Sequence, residues 1–83
     1  MTVYYATGAE EESRLNRNFT YHPPQNDQIP RYNEIREKAK GLAATIFVLT
    51  PKSREQSLAL TALEEAVMWA NAAIARNEGG KNE

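Results

Sequence analysis

The chain has no cysteine, a single histidine, four glycines and one tryptophan among its 83 residues. Without thiols there can be no disulfide, and one imidazole leaves no set of zinc ligands. A chain of this length buries only about 60% of the surface its unfolded form exposes, so a lone protomer is marginal. With disulfides and metals excluded, association is the remaining support, and the length admits one domain. Charge of one sign is also missing. Ten Lys and Arg stand against 11 Asp and Glu, a net charge of -1. That excludes the broad basic field of a DNA- or RNA-polymer binder. No uninterrupted apolar run approaches the ~20 residues of a membrane-spanning helix, so no membrane contact is expected. Met1-Thr2-Val3-Tyr4-Tyr5 has neither the basic nor the apolar region of a signal peptide. These absences together point to a small soluble cytoplasmic protein.

What is present falls into two parts. Residues 1–18 are polar, with Glu10-Glu11-Glu12 followed by Ser13, Arg14, Asn16, Arg17 and Asn18. They offer little to bury, which predicts an arm that is mobile or only loosely helical. Residues 19–83 form the domain. Its opening segment, 19–29, carries Pro23-Pro24 and is expected to be extended, with Phe19, Tyr21 and Ile29 as its apolar handles. Pro30 suits the first turn of a helix. From there Tyr32, Ile35, Ala39, Leu42, Ile46 and Leu49 recur at alternating spacings of three and four. That seam predicts a helix over 31–49. Gly41, costly inside a helix, suggests a close backbone approach. Ser53 and Gln56 have the spacing of a capping box, which starts a second long helix running to about Asn77. Its expected main face is Ala59, Leu63, Ala66, Ala70 and Ala73, widened by Leu60, Val67 and Ile74. The short link at 50–52 forces the two helices antiparallel. The fold class is therefore all-α, an antiparallel helical hairpin preceded by an extended N-terminal segment.

Met68, Trp69 and Ala72 lie off that face, as do Phe47 and Val48. A helix apolar on several sides must be covered on several sides. Either the N-terminal segment folds back over these residues or they form a subunit interface anchored by Trp69. The small area of one extended segment favours the interface.

Catalytic chemistry is sparse. There is no Cys nucleophile, no Gly-rich phosphate loop and no metal-ligand cluster. Glu64 and Glu65 point about 100° apart on a helix, and Glu34 with Glu37 reads as a solvated face. No enzyme and no cofactor is expected. What remains is a stripe of Tyr32, Arg36 and Lys40, one helical turn apart, with Lys38 on another side. Aromatic faces stack bases, and Lys and Arg bind phosphates. The plain alternative buries Tyr32 in the seam and pairs Arg36 with a neighbouring Glu. Tyr21 and His22 could close over the stripe as a lid, and Arg76 suits the end of a helix dipole.

Several runs carry a resemblance: Phe19-Thr20-Tyr21-His22-Pro23-Pro24, then Lys38-Ala39-Lys40-Gly41-Leu42-Ala43, then Pro51-Lys52-Ser53-Arg54-Glu55. The most distinctive is Glu64-Glu65-Ala66-Val67-Met68-Trp69-Ala70-Asn71-Ala72-Ala73-Ile74-Ala75-Arg76. Over about residues 19–78 the chain resembles the phage anti-CBASS proteins of the second type, small helical sponges for cyclic oligonucleotides. The resemblance implies a hexamer of helical hairpins in the cytoplasm of an infected bacterial host. It implies cyclic dinucleotides bound intact between paired subunits, and cyclic trinucleotides in separate pockets. In those terms Tyr21 stacks on a base, and Arg36, Lys38 or Lys40 holds a phosphate. Arg76 serves the trinucleotide pocket, with Asn71 and Thr45 as further candidates. An oligomeric structural or regulatory protein without a nucleotide ligand is the alternative. A phosphodiesterase would need metal ligands or a general base, and a DNA binder a basic surface.

Overall fold

The computed structural model describes residues 5–78, and those residues are helical with no strand. Three helices follow one another: α1 over Ala9–Phe19, α2 over Gln28–Leu49 and α3 over Arg54–Glu78. The long helices α2 and α3 form the expected antiparallel hairpin, and α1 meets the body through α3.

The arm holds a regular helix where only loose helicity was expected. Its acidic run, Glu10 to Glu12, occupies the first turn and Arg17 the last, both favourable to the helix dipole. The N–H of Gly8 donates to Glu11 Oε1 at 2.9 Å, and Thr7 Oγ1 donates to Glu12 Oε2 at 3.3 Å. Local capping therefore replaces burial, and α1 buries none of its residues. Residues 20–27 are irregular, with Asn26 at φ 52°, a left-handed conformation that Asn tolerates.

α2 starts three residues before the expected boundary because Gln28 has work inside the protein. Its Oε1 accepts the Gln25 N–H at 2.9 Å, and its Nε2 donates to Glu78 Oε1 at 3.3 Å. The side chain is 4% exposed. Arg31 completes the closure of this end. Its Nη1 and Nη2 reach Glu78 Oε1 and Oε2 at 2.9 and 2.8 Å, a fork on a carboxylate, and Nη1 also reaches Asp27 at 3.3 Å. These bonds from Arg31, then from Gln28, hold the Glu78 carboxyl below its ordinary range and raise Arg31 further.

At the other end the capping box is only half formed. Ser53 Oγ accepts the Gln56 N–H at 3.1 Å as expected, but Gln56 does not reach back to Ser53. Its Nε2 donates instead to the Thr50 carbonyl oxygen and Oγ1, at 3.1 and 3.0 Å, tying α3 to the end of α2.

The seam between the long helices also differs. Tyr32, Ile35, Ala39 and Ile46 are half-buried, but Leu42 and Leu49 are exposed. On α3 the interior is taken by Leu60, Leu63, Val67, Ala70 and Ile74, while Ala59, Ala66 and Ala73 face outward. Larger side chains gain more from burial, so the Leu60–Val67–Ile74 row wins over the alanine row beside it. Gly41 marks no close approach within the protomer, since a Cβ there would meet nothing within 4 Å.

Little else is covered. Ile74 is the one buried hydrophobic residue among those described, and Phe47, Val48, Met68 and Trp69 are exposed. The N-terminal segment does not fold back over them. The radius of gyration is 17.8 Å, against about 12 Å for a compact domain of this length. One helix, α3, is long and apolar enough by length and composition to cross a membrane, with an 18-residue window at mean hydropathy 1.2. It shows no uninterrupted apolar run because Glu64 and Glu65 divide the alanine-rich stretch. Two adjacent mid-helix carboxylates oppose a membrane-spanning role.

Candidate functional site

Six of the nine residues singled out by sequence converge. Tyr21 and His22 from the irregular segment, Tyr32 and Arg36 from α2, and Asn71 and Arg76 from α3 line one cleft of about 410 Å³. That lies within the roughly 300–1,000 Å³ of ligand sites. The cleft sits at the end of the hairpin where α2 begins and α3 ends, just beyond the Arg31–Glu78 clamp.

The local chain explains the convergence. Pro23 and Pro24 keep the segment from turning helical, so it crosses the mouth of the hairpin. His22 fixes it at one point. Its Nε2 donates to the Arg17 carbonyl oxygen at 2.6 Å, one of the carbonyls that the end of α1 leaves without a helical partner. The half-buried ring is thus a strut between α1 and the segment rather than a solvated loop histidine. Tyr21, next to it, is 79% exposed, with its ring face free. Tyr32 is half-buried one turn below Arg36.

Arg36 does not pair with a neighbouring Glu. Its Nη1 donates to Asn33 Oδ1 at 2.9 Å, and among the described residues the ion pairs are those of Arg31 alone. Among those residues neither Arg36 nor Arg76 has its charge matched by a carboxylate. Asn71 Oδ1 is buried and accepts no hydrogen bond. A buried acceptor without a donor costs about 1–3 kcal/mol, so its position on the cleft wall favours a donor arriving from outside. Two cations, two phenol rings and an open acceptor suit an anionic ligand with flat aromatic groups. No carboxylate lines the cleft, so nothing in its wall repels such an anion. Among the described residues no group of His, Asp and Glu is arranged to hold a metal ion.

The other three residues lie elsewhere. Lys38 lines an apolar groove between α2 and α3 with Ile35, Leu42 and Val67. It is turned about 200° from Arg36 around the helix, at 100° per residue. Lys40 continues the stripe in sequence but does not line this cleft; eight residues past Tyr32 it stands about 12 Å along the axis and 80° around it. The stripe is therefore Tyr32 and Arg36 only. Thr45 is exposed and its Oγ1 donates to the Gly41 carbonyl oxygen at 3.0 Å, away from the cleft.

Not legible in the sequence were Asn18 and Thr20, which also line the cleft, and the Gln28–Arg31–Glu78 clamp at the same end of the hairpin. Arg14, Arg17 and Asn18 have i, i+3, i+4 spacing, a helical signal that was passed over because the arm looked irregular.

Comparison with known proteins agrees with the hairpin. A family model described as Acb2/Tad1, hairpin domain, matches residues 11–75. The match begins inside the arm, eight residues before the resemblance read from sequence. No curated protein and no solved structure matches the chain.

Proposed function

The chain belongs to the Acb2/Tad1 hairpin family, that of the type 2 anti-CBASS proteins, and from this membership and the cleft we propose that it is a phage immune-evasion sponge. It sequesters cyclic dinucleotides, and cyclic trinucleotides in addition, in the cytoplasm of the infected bacterium, and does not degrade them. The observation that supports this reading best is the meeting of Tyr21, Tyr32, Arg36 and Arg76 in one cleft whose wall has no carboxylate.

The physical roles follow from residue type. Tyr21 stacks on a base, a contact worth about 1–3 kcal/mol for each base stacked. Arg36 holds a phosphodiester through a charge-assisted fork. Asn71 accepts a hydrogen bond from a base amino group. His22 keeps the segment in place rather than touching phosphate. A cyclic dinucleotide carries two charges and two bases. A symmetric pair of subunits presents Tyr21 and Arg36 twice, so ligand and interface match in symmetry. The uncovered faces of Phe47, Val48, Met68 and Trp69 provide the surface for a hexamer of such pairs.

Isothermal titration with a cyclic GMP–AMP dinucleotide, then with cyclic triadenylate, tests the reading, with molar mass taken on the same sample. The expected result is saturable binding near one dinucleotide per two chains, with Tyr21→Ala and Arg36→Ala each weakening it about tenfold or more. The nucleotide recovered after denaturation is intact. Absence of binding to either ligand, or indifference to both substitutions, would leave an oligomeric interaction protein without a nucleotide.

A further inference from the structure

Beside the cleft lies a second one, of about 580 Å³, between α1 and the end of α3. Its cations are Arg14 and Arg17 of α1 and Arg76 of α3, and Trp69 forms part of its wall. Asn18, Ala72 and Arg76 line both clefts, so the two are continuous.

The orientation of α1 is the telling feature. Leu15 and Phe19 form its apolar stripe, and an amphipathic helix packed for stability would turn that stripe inward. Here both stay exposed, and the face carrying Arg14, Arg17 and Asn18 shares the cleft with α3. Among the described residues none of the three arginines lies within 4 Å of a carboxylate. Glu10, one turn before Arg14 and well placed to pair with it, does not. Position in a last turn accounts for Arg17 and Arg76 through the helix dipole, but not for Arg14. Like charges brought together on two elements repel, and an anion between them reverses the sign of that interaction.

We propose that Arg14 and Arg17, together with Arg76, form a phosphate-binding subsite that continues the Tyr21–Arg36 cleft, so that the N-terminal arm is part of the ligand site. In the identity of its natural ligand the inference rests on the sponge reading; in its chemistry it requires only phosphate groups.

The test titrates tripolyphosphate, which has phosphates but no base, and cyclic triadenylate into the wild type and the double variant Arg14→Ala/Arg17→Ala at low ionic strength. Lys52→Ala/Arg54→Ala, at the far end of the hairpin, removes the same charge from a remote place. Alanine is the better helix former, so α1 persists in the variant, and circular dichroism verifies it. The expected result is at least about tenfold weaker tripolyphosphate binding for the arm variant, as befits charge-assisted bonds, and little change for the remote one. Cyclic triadenylate follows the same order. Equal losses in both variants would overturn the subsite in favour of overall charge. So would a loss accompanied by a fall in molar mass, because the arginines would then be assembly contacts. Cyclic oligonucleotide binding that depends on Arg36 and ignores Arg14 and Arg17 would also overturn it, with the sponge reading intact. Tripolyphosphate binding that depends on Arg14 and Arg17, without any cyclic oligonucleotide binding, would keep the subsite and refute the sponge.

Discussion

Gln56→Met isolates what holds the hairpin turn together. Gln56 is 8% exposed, and its Nε2 makes two bonds to Thr50, at 3.1 Å to the carbonyl oxygen and 3.0 Å to Oγ1. Thr50 caps α2, and its hydroxyl in turn donates to the Ile46 carbonyl oxygen at 2.6 Å. Methionine keeps nearly the same volume and leaves the Ser53 bond to the backbone N–H in place. The change therefore removes those two bonds and little else. At about 0.5–1.5 kcal/mol each, the loss centres on about 2 kcal/mol. For a domain of this size that is a fall in Tm of roughly 8–16 °C. Thermal melts followed by circular dichroism read it, at equal chain concentration because association shifts Tm. Thr50→Val, alone and combined with Gln56→Met, closes a cycle in which a coupling of about 1 kcal/mol is expected. Gln56→Glu places an acceptor against the Thr50 carbonyl oxygen. It should melt lower still at neutral pH and recover partly as acid protonates it. A Gln56→Met variant within about 2 °C of the wild type would refute the reasoning. Ligand affinity should be unaffected by any of these changes, since the turn lies at the end of the hairpin opposite the cleft.

Four further outcomes are expected. The Glu78 carboxyl is held below its ordinary value by Arg31 and Gln28, so its contribution to stability is full above the unfolded value of about 4.3 and lost as pH falls through the folded one. Melts from neutral pH to about pH 3 should show a shallower acid decline for Glu78→Gln than for the wild type. Gly41→Ala should raise Tm by about 4–8 °C, from about 1 kcal/mol of helix propensity and open space at the Cβ; a fall in both Tm and molar mass would place another copy against that position. Lys38→Ala and Lys40→Ala should each change dinucleotide affinity by about twofold or less in titrations, as exposed charges outside the cleft do. Trp69→Ala should move the molar mass by light scattering toward the 9.4 kDa of a single chain, since exposed aromatics anchor interfaces.

The hairpin could be read from sequence because its signals are local and redundant. A seam, a proline in a first turn, a serine cap and a short link all point to the same two helices. The row of α3 that turns inward could not be read so easily, since two adjacent rows are both apolar and only the size of Leu60, Val67 and Ile74 separates them. Periodicity was also blind to Gln28 and Gln56, polar residues whose partners lie 50 and six positions away. Residue type singled out Tyr21, Tyr32 and Arg36, which the fold brings to one cleft. A stripe counted in steps of four, however, ignores the 40° that each step drifts around the helix, and Lys40 was included on that account. The helix over Ala9–Phe19 was not legible because burial was the only criterion applied to the arm. Its helix is stabilised by caps and by the placing of charge, neither of which needs a core.

A protomer this open cannot treat binding and stability as separate problems. Its helices leave Phe47, Val48, Met68 and Trp69 uncovered and bury one aliphatic side chain among the residues described. On the proposed reading assembly supplies much of the stability, and a pair of subunits that shares one ligand brings the Arg36 of each copy toward the other, where they repel. An anionic ligand removes that repulsion, so on the proposed reading it binds the assembled protein better than the separate chains and stabilises the assembly by the same amount. At a hundred times its dissociation constant that linkage amounts to about 2.7 kcal/mol. A sponge gains from the arrangement. It needs no chemistry and no switch, only a site whose cations lack partners until the messenger arrives.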